Sequence, residues 1–145
     1  MPYLTQPFGL EGALIDLTVG PSLPRQQALK KAGQPVPRPV RVRGLIDTGA
    51  SLTAIDPGVL QALSLTPTGT VGVVTPTTGT TPQQLNQYDV QIIILHPALT
   101  YSFHVLPVIE SVLGFQGFDV LIGRDMLAEC LFVYDGRSGI FTLAF

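Results

Sequence analysis

Cysteine is all but absent from this sequence: Cys130 is the single one. A lone thiol excludes an internal disulfide framework and any cysteine-based zinc cluster. It fits a reducing compartment, and Cys130 reads as a small core residue. Charge is scarce as well, at 12% of residues, and the formal net charge of -2 gives no global attraction to nucleic acid or an anionic membrane. No run approaches the length of a membrane-spanning helix, and the N-terminal MPYLTQPFGLEG lacks the basic-then-apolar order of an export signal. The expectation is a soluble, cytoplasmic chain with neither nucleic-acid nor membrane partners. There is no Gly-x-Ser-x-Gly elbow, no glycine-rich phosphate loop and no internal repeat, and Cys130 carries no nucleophile signature. His96 and His104 lack ligand spacing and read as core or edge residues, so neither a metal nor a cofactor is expected.

What is present points to one domain over residues 1–145. The length and the 46% hydrophobic content suffice for a genuine core. Fifteen glycines and thirteen prolines cut the chain into short apolar segments, the punctuation of a mostly β domain. Alternation predicts strands over 13–19, 40–46, 69–74, 85–95, 99–108, 118–123, 131–135 and 139–145. Short helices are predicted at 25–31 and from Pro57 through Leu63, and the best helix candidate is RDMLAECL, residues 124–131, with Asp125 and Glu129 on one solvated face. Between Pro21 and Pro39 lie five prolines, and six of the eight basic residues, Arg25, Lys30, Lys31, Arg38, Arg41 and Arg43, fall in or beside this stretch. It reads as a proline-rich basic surface insertion, a solvated loop or a docking site for an acidic partner.

The chemistry concentrates at Leu45-Ile46-Asp47-Thr48-Gly49-Ala50-Ser51, where an apolar strand delivers a carboxylate into a turn of small residues. Peptide hydrolysis without a metal or a nucleophilic side chain needs one carboxylate to activate water and a protonated partner to polarise the scissile carbonyl. Two such carboxylates must lie close together, and Gly49 and Ala50 permit the tight turn and near neighbour this requires. Thr48 can hydrogen-bond across the turn. A specified Asp-Thr-Gly arises by chance in about 3% of chains this long, so its context matters. Here the triplet follows a strand, a polar hairpin tip with Gly79 comes later, and Leu121-Ile122-Gly123 precedes the last helix candidate.

These features together resemble the retropepsin family of single-lobe aspartic peptidases, from Ala13 onward. LIDTGAS is similar to the family's catalytic loop, VGVVTPTTGTTPQQLNQYDVQI to its flap hairpin, and VLIGRDML to the Ile-Gly-Arg segment that begins its C-terminal helix. The resemblance implies a retropepsin-like closed barrel with a flap hairpin and one short C-terminal helix. It implies that Asp47 is catalytic, that Thr48 builds a hydrogen-bonded base between subunits, and that Gly49 offers its carbonyl to substrate. Thr75, Pro76, Thr77, Thr78, Gly79, Thr80 and Thr81 would form the covering flap, while Ala50 and Ser51 complete the loop and Ile122, Gly123 and Arg124 support it. The flap tip departs from the family in being Thr/Pro-rich. Arg of the Ile-Gly-Arg segment pairs in retroviral members with a carboxylate where this chain has Ser51, so Arg124 needs another partner, with Asp56 and Asp125 as candidates.

Only one Asp-Thr-Gly occurs, so the two-carboxylate mechanism requires a second copy in a symmetric homodimer. The expected activity is endopeptidase cleavage of a peptide or protein substrate held in an extended form. The rival is a non-catalytic binding or dimerisation module of the same fold.

Overall fold

The computed structural model describes residues 1–145. The chain opens with β1 (Tyr3–Pro7), a strand its sequence does not announce. Only Leu4 and Gln6 turn inward, and the strand is defined by pairing with the far end of the chain rather than by its own pattern. In β2 (Leu14–Pro21) the alternation is explicit, with Ile15, Leu17 and Val19 buried and Asp16 exposed. Ser22 then caps α1 (Leu23–Lys31), its Oγ accepting from the Arg25 amide, with Pro24 in the first turn where a missing N–H costs nothing. Gly33 closes this helix at φ +67, and the Gln34 amide returns to the Leu29 carbonyl at 2.9 Å. The insertion over 21–39 therefore contains the longest helix of the chain.

Strand β3 (Val40–Ile46) turns Val42, Gly44 and Ile46 inward. A side chain at Gly44 has no room, because a Cβ there would lie 2.7 Å from Leu17 Cδ1 and 2.9 Å from Ile122 Cδ1. After β4 (Ala54–Ile55) and α2 (Pro57–Ala62) comes a hairpin of β5 (Gly69–Val73) and the long β6 (Gln83–Ile94), which buries Tyr88, Val90, Ile92 and Ile94. The remaining elements are β7 (Tyr101–Glu110), a 3-10 turn at Gly114–Gln116, β8 (Val120–Ile122), α3 (Arg124–Leu127), β9 (Leu131–Asp135) and β10 (Ile140–Ala144). The helix expected over 124–131 is thus a single turn of four residues. Leu131 is already paired with Ala144, so strand pairing overrides the helical propensity of the segment.

Strands pair in the order β2-β3-β8-β4-β7-β6, and β6 pairs back onto β2, closing a six-stranded barrel. The β3–β8 and β4–β7 pairs are parallel and the others antiparallel. Strand β5 extends from the free end of β6 as a two-stranded arm. A separate antiparallel sheet, β1-β10-β9, ties the two ends of the chain together. Its inner face supplies Phe141 and Leu143 to one apolar cluster of 23 buried residues that also fills the barrel. Each fully buried aliphatic side chain in that cluster contributes about 1.5–3 kcal/mol.

Asp56 fastens the start of α2 to the loop between β7 and β8. It caps α2 by accepting from the Gly58 amide at 2.9 Å, and its other oxygen accepts from the Leu113 and Gly114 amides at 2.8 Å each. The Leu113 bond leads the effects that hold this carboxyl below its ordinary value of 3.8; desolvation opposes it, and the weaker Gly114 and Gly58 bonds tip the balance downward. A depressed folded-state value means that the ionised form stabilises the fold at neutral pH, and that this contribution fades as pH falls through the lowered value. Asp56→Ala is expected to cost about 1–3 kcal/mol in urea unfolding at neutral pH. The gap from the unsubstituted protein should narrow in acid, below the ordinary carboxylate range, and a pH-independent gap would refute the carboxylate's role.

Candidate active site

Strand β3 ends at Ile46 and delivers Asp47 into the turn Thr48-Gly49-Ala50. Two bonds hold the turn on itself: the Gly49 amide donates to Asp47 Oδ1 at 2.9 Å, and the Ala50 amide to the Asp47 carbonyl at 3.2 Å. Two more tie it to the end of β8, from the Asp47 amide to the Ile122 carbonyl at 3.0 Å and from the Arg124 amide to the Ala50 carbonyl at 2.9 Å. The Arg124 side chain adds a fifth, donating from Nη1 to the Thr48 carbonyl at 2.9 Å. That answers the question of its partner, and both carboxylate candidates were wrong. Asp56 is committed to backbone amides, and Asp125 accepts from Thr53 N at 2.9 Å and Thr53 Oγ1 at 2.6 Å. A carbonyl acceptor replaces the carboxylate because Ser51 offers none.

Thr53 is the residue that sequence reasoning missed. It is fully buried, and its hydroxyl both donates to Asp125 Oδ1 and accepts from the Gly123 amide at 3.1 Å. Asp125, in the first turn of α3, also accepts from the adjacent Met126 amide at 2.8 Å, so one carboxylate locks α3 to the segment leaving the Asp47 turn. The signal available in sequence is a Thr six residues after Asp47 and an Asp two residues after Gly123; Asp125, expected on a solvated helix face, instead binds Thr53. Gly123 passes so close that a Cβ would lie 2.6 Å from the Leu52 carbonyl carbon and 2.9 Å from Thr53 N.

Asp47 is half-buried at the edge of a cleft of about 460 Å³. Gly49, Ala50 and Ser51 line one side, Leu85, Ile109 and Leu121 form apolar walls, and Val73, Val74, Thr75 and Pro76 overhang it from the hairpin. No second carboxylate lines this cleft. Of the seven hairpin residues singled out, Thr75 and Pro76 reach the cleft, whereas Thr77, Thr78, Gly79, Thr80 and Thr81 do not line it. The tip is a turn closed by its own threonines: the Thr78 amide donates to the Thr75 carbonyl at 3.0 Å and the Thr75 amide to Thr78 Oγ1 at 2.8 Å, with Gly79 at φ +64. On its other side, Asp47 borders a second hollow of about 470 Å³ with Thr48, Leu45, Phe132 and Tyr134. Thr48 is exposed, and its hydroxyl bonds to nothing within the chain.

The remaining candidates sit apart. His104 is exposed and bonded to Gln91, and His96 accepts from the Ala98 and Leu99 amides, its other ring nitrogen bonded to the Tyr3 carbonyl. Cys130 is half-buried against the core, and burial, helped by Glu129, pushes its thiol up to about 11, far from a nucleophile's range. No group of His, Cys, Asp or Glu side chains is arranged to hold a metal ion.

The fold is shared with a retropepsin-like aspartic protease from Rickettsia conorii: TM-score 0.61 at 15% identity, covering 99% of this chain and 91% of that one. The architecture is therefore retropepsin-like. A retroviral protease-like domain of Ddi1 from Leishmania major aligns at a TM-score of 0.40 and 15% identity, over 86% and 83% of the two chains. Compared by sequence, the chain matches no family model and no curated protein. At such identity the likeness is one of fold.

The close approach at Gly123 sets a mutational expectation. Gly123→Ala drives a methyl group into backbone that cannot swing aside, and should cost about 3 kcal/mol or prevent folding. Gly69→Ala, with nothing within 4 Å of the added carbon, is the matched control. Equal urea midpoints for the two variants would contradict the packing described.

Proposed function

We propose that the chain is an aspartic endopeptidase acting as a homodimer, each copy contributing one Asp47. The observation that carries this reading is a lone carboxylate, bonded into a rigid small-residue turn, at the edge of an apolar cleft overhung by a hairpin. In the proposed mechanism the two Asp47 carboxyls share one proton. The ionised one takes a proton from water as the oxygen attacks the scissile carbonyl, and the protonated one gives its proton to the carbonyl oxygen. Collapse of the tetrahedral diol breaks the C–N bond: the carboxyl that took the water proton gives it to the leaving amine, and the other carboxylate takes back a diol hydroxyl proton. Gly49 would present its carbonyl to the substrate backbone, and the hairpin over 75–81 would cover an extended peptide.

Several features support the two-copy arrangement. The cleft holds a single carboxylate, and the Thr48 hydroxyl has no partner within the chain. The second hollow beside Asp47 carries Tyr134 at 54% exposure, with Phe132 on the same face of β9. A two-fold contact there would bring the two Asp47 turns together and cover this apolar surface. No helix is long and apolar enough to cross a membrane. A cytoplasmic location belongs to the same reading.

Asp47→Asn is expected to abolish cleavage of a peptide library, by about a thousandfold or more, while leaving the melting temperature nearly unchanged, because the carboxylate supplies chemistry rather than packing. Cleavage at the original sites and rate would dismiss the assignment. An unsubstituted protein that dimerises yet cleaves nothing would favour a binding module instead.

Assembly has its own readout. Specific activity should fall on dilution through the dimer dissociation constant, in step with mass measured by light scattering. A fully active monomer at every concentration would exclude a site shared between copies.

A further inference from the structure

Charge is divided unevenly along this chain. Residues 17–46 carry six cations and no carboxylate, leaving two cations and all ten carboxylates to the rest. Of the six, only Arg41 has a carboxylate partner, Asp16 at 2.8 Å, and Arg25, Lys30, Lys31 and Arg38 are exposed. Helix α1 has no acidic residue in its first turn and two lysines in its last. Sequence alone leaves two readings for such a patch, a solvated loop or a docking site.

The structure adds a groove. Between α1, the proline-rich segment and the end of α2 lies a hollow of about 470 Å³ that shares no lining residue with the Asp47 cleft. Its floor is apolar, built on buried Leu29 and Leu63. Pro35 and Pro37 stiffen one wall, Arg25 stands at the rim, and Arg38 follows directly on Pro37. Lys30 and Lys31 follow Leu29 in the last turn of α1; neither lines the hollow, and both add positive charge to the helix that forms one of its sides. A purely solvated basic loop has no need of a preformed apolar trough at its centre.

We propose that this groove is a docking site for an acidic, extended segment of another protein, separate from the Asp47 cleft and independent of whether Asp47 catalyses. The cations neutralise carboxylates of the segment, and the Leu29–Leu63 floor takes an apolar side chain between them. Nucleic acid fits less well, because no aromatic residue lines the groove to stack on a base, and the remainder of the surface is acidic. A second copy's acidic face fits less well too, since that contact is heterologous and would build a ring or a filament rather than the two-fold dimer proposed.

The test uses a fluorescein-labelled peptide of repeating Glu-Leu-Pro units, titrated with the full chain and read by anisotropy. Binding is expected at low salt, weakening as salt rises. The triple variant Arg25→Glu/Lys30→Glu/Lys31→Glu should bind about tenfold or more weakly. Gln34→Trp, which fills the groove without changing charge, should weaken it comparably. All three replaced cations are exposed, so the variants should melt with the parent. Hydrogen exchange with bound peptide should protect residues 21–37 and 63–65. The proposal fails if the peptide does not bind, if both variants bind it unchanged, or if protection falls around Asp47 instead. It fails equally if an oligothymidylate competes as well as the peptide, or if the charge-reversed variant differs only in self-association.

Discussion

The crossing of Gly123 over the Leu52–Thr53 backbone is the contact on which the rest of the molecule depends. Strand β8 is three residues long and lies between β3 and β4, parallel to one and antiparallel to the other. The segment joining β3 to β4, which includes Asp47, must therefore loop around the end of β8, and it can do so only where β8 gives way to a residue without a side chain. Once the two backbones touch, their polar groups are within reach of each other. The Asp47 and Arg124 amides then donate to the Ile122 and Ala50 carbonyls, the Gly123 amide to the Thr53 hydroxyl, and the Thr53 amide and hydroxyl to the Asp125 carboxylate, all at 2.6–3.1 Å. Asp47 is thereby held by backbone bonds from both sides while its carboxylate keeps one oxygen unbonded within the chain.

How much of this the sequence discloses depends on where each interaction is encoded. Strands β2, β3, β6 and β10 are legible because a residue facing the core every second position leaves a period of two that needs no knowledge of neighbours. Strand β1 leaves none: Tyr3, Thr5 and Pro7 face outward, and its ladder to β10 spans almost the whole chain. The Arg124 partner was illegible for a different reason. Its acceptor is the carbonyl of Thr48, and every residue has a carbonyl, so no side-chain code marks it. Thr53 lies between these cases, since its pairing with Asp125 involves two side chains but joins positions 72 residues apart. The Asp47 turn and Gly123 stand out in sequence because glycine and small residues have few other reasons to follow an apolar strand end.

The hairpin illustrates a choice between two ways of shaping a cover. A glycine-rich tip gets its bend from permissive backbone. Here the bend is made by threonine side chains that take over backbone duties, with Thr78 Oγ1 both accepting from the Thr75 amide and donating to the Thr75 carbonyl. Gly79 alone supplies the left-handed residue. Such a tip is closed on itself, so the residues it turns toward the cleft are those at its base, Val73 to Pro76, rather than those at its summit. On the proposed reading, contact with a peptide would come through the apolar Val73 and Pro76 and the Thr75 backbone, and the summit would set how far the arm can travel rather than what it grips.

A barrel of this size could be stabilised by its 23-residue apolar cluster without any of the polar bonds around Asp47. Their cost in buried polar groups is repaid only if position matters. Thr53 makes the point: it is fully buried where Val would add apolar area, yet its hydroxyl binds an amide and a carboxylate at once. An apolar residue there would leave the Gly123 amide without a partner and Asp125 with only the Thr53 and Met126 amides, so the side-chain link between α3 and the segment leaving the Asp47 turn would be lost. The same logic explains why Arg124 spends its guanidinium on a backbone carbonyl in an exposed turn, where the net gain in stability is small. What that bond fixes is the orientation of the Thr48 peptide, and with it the direction in which the Thr48 hydroxyl and the Asp47 carboxylate leave the chain. On the proposed reading, in which two copies of the turn meet face to face, that orientation is what the meeting would require.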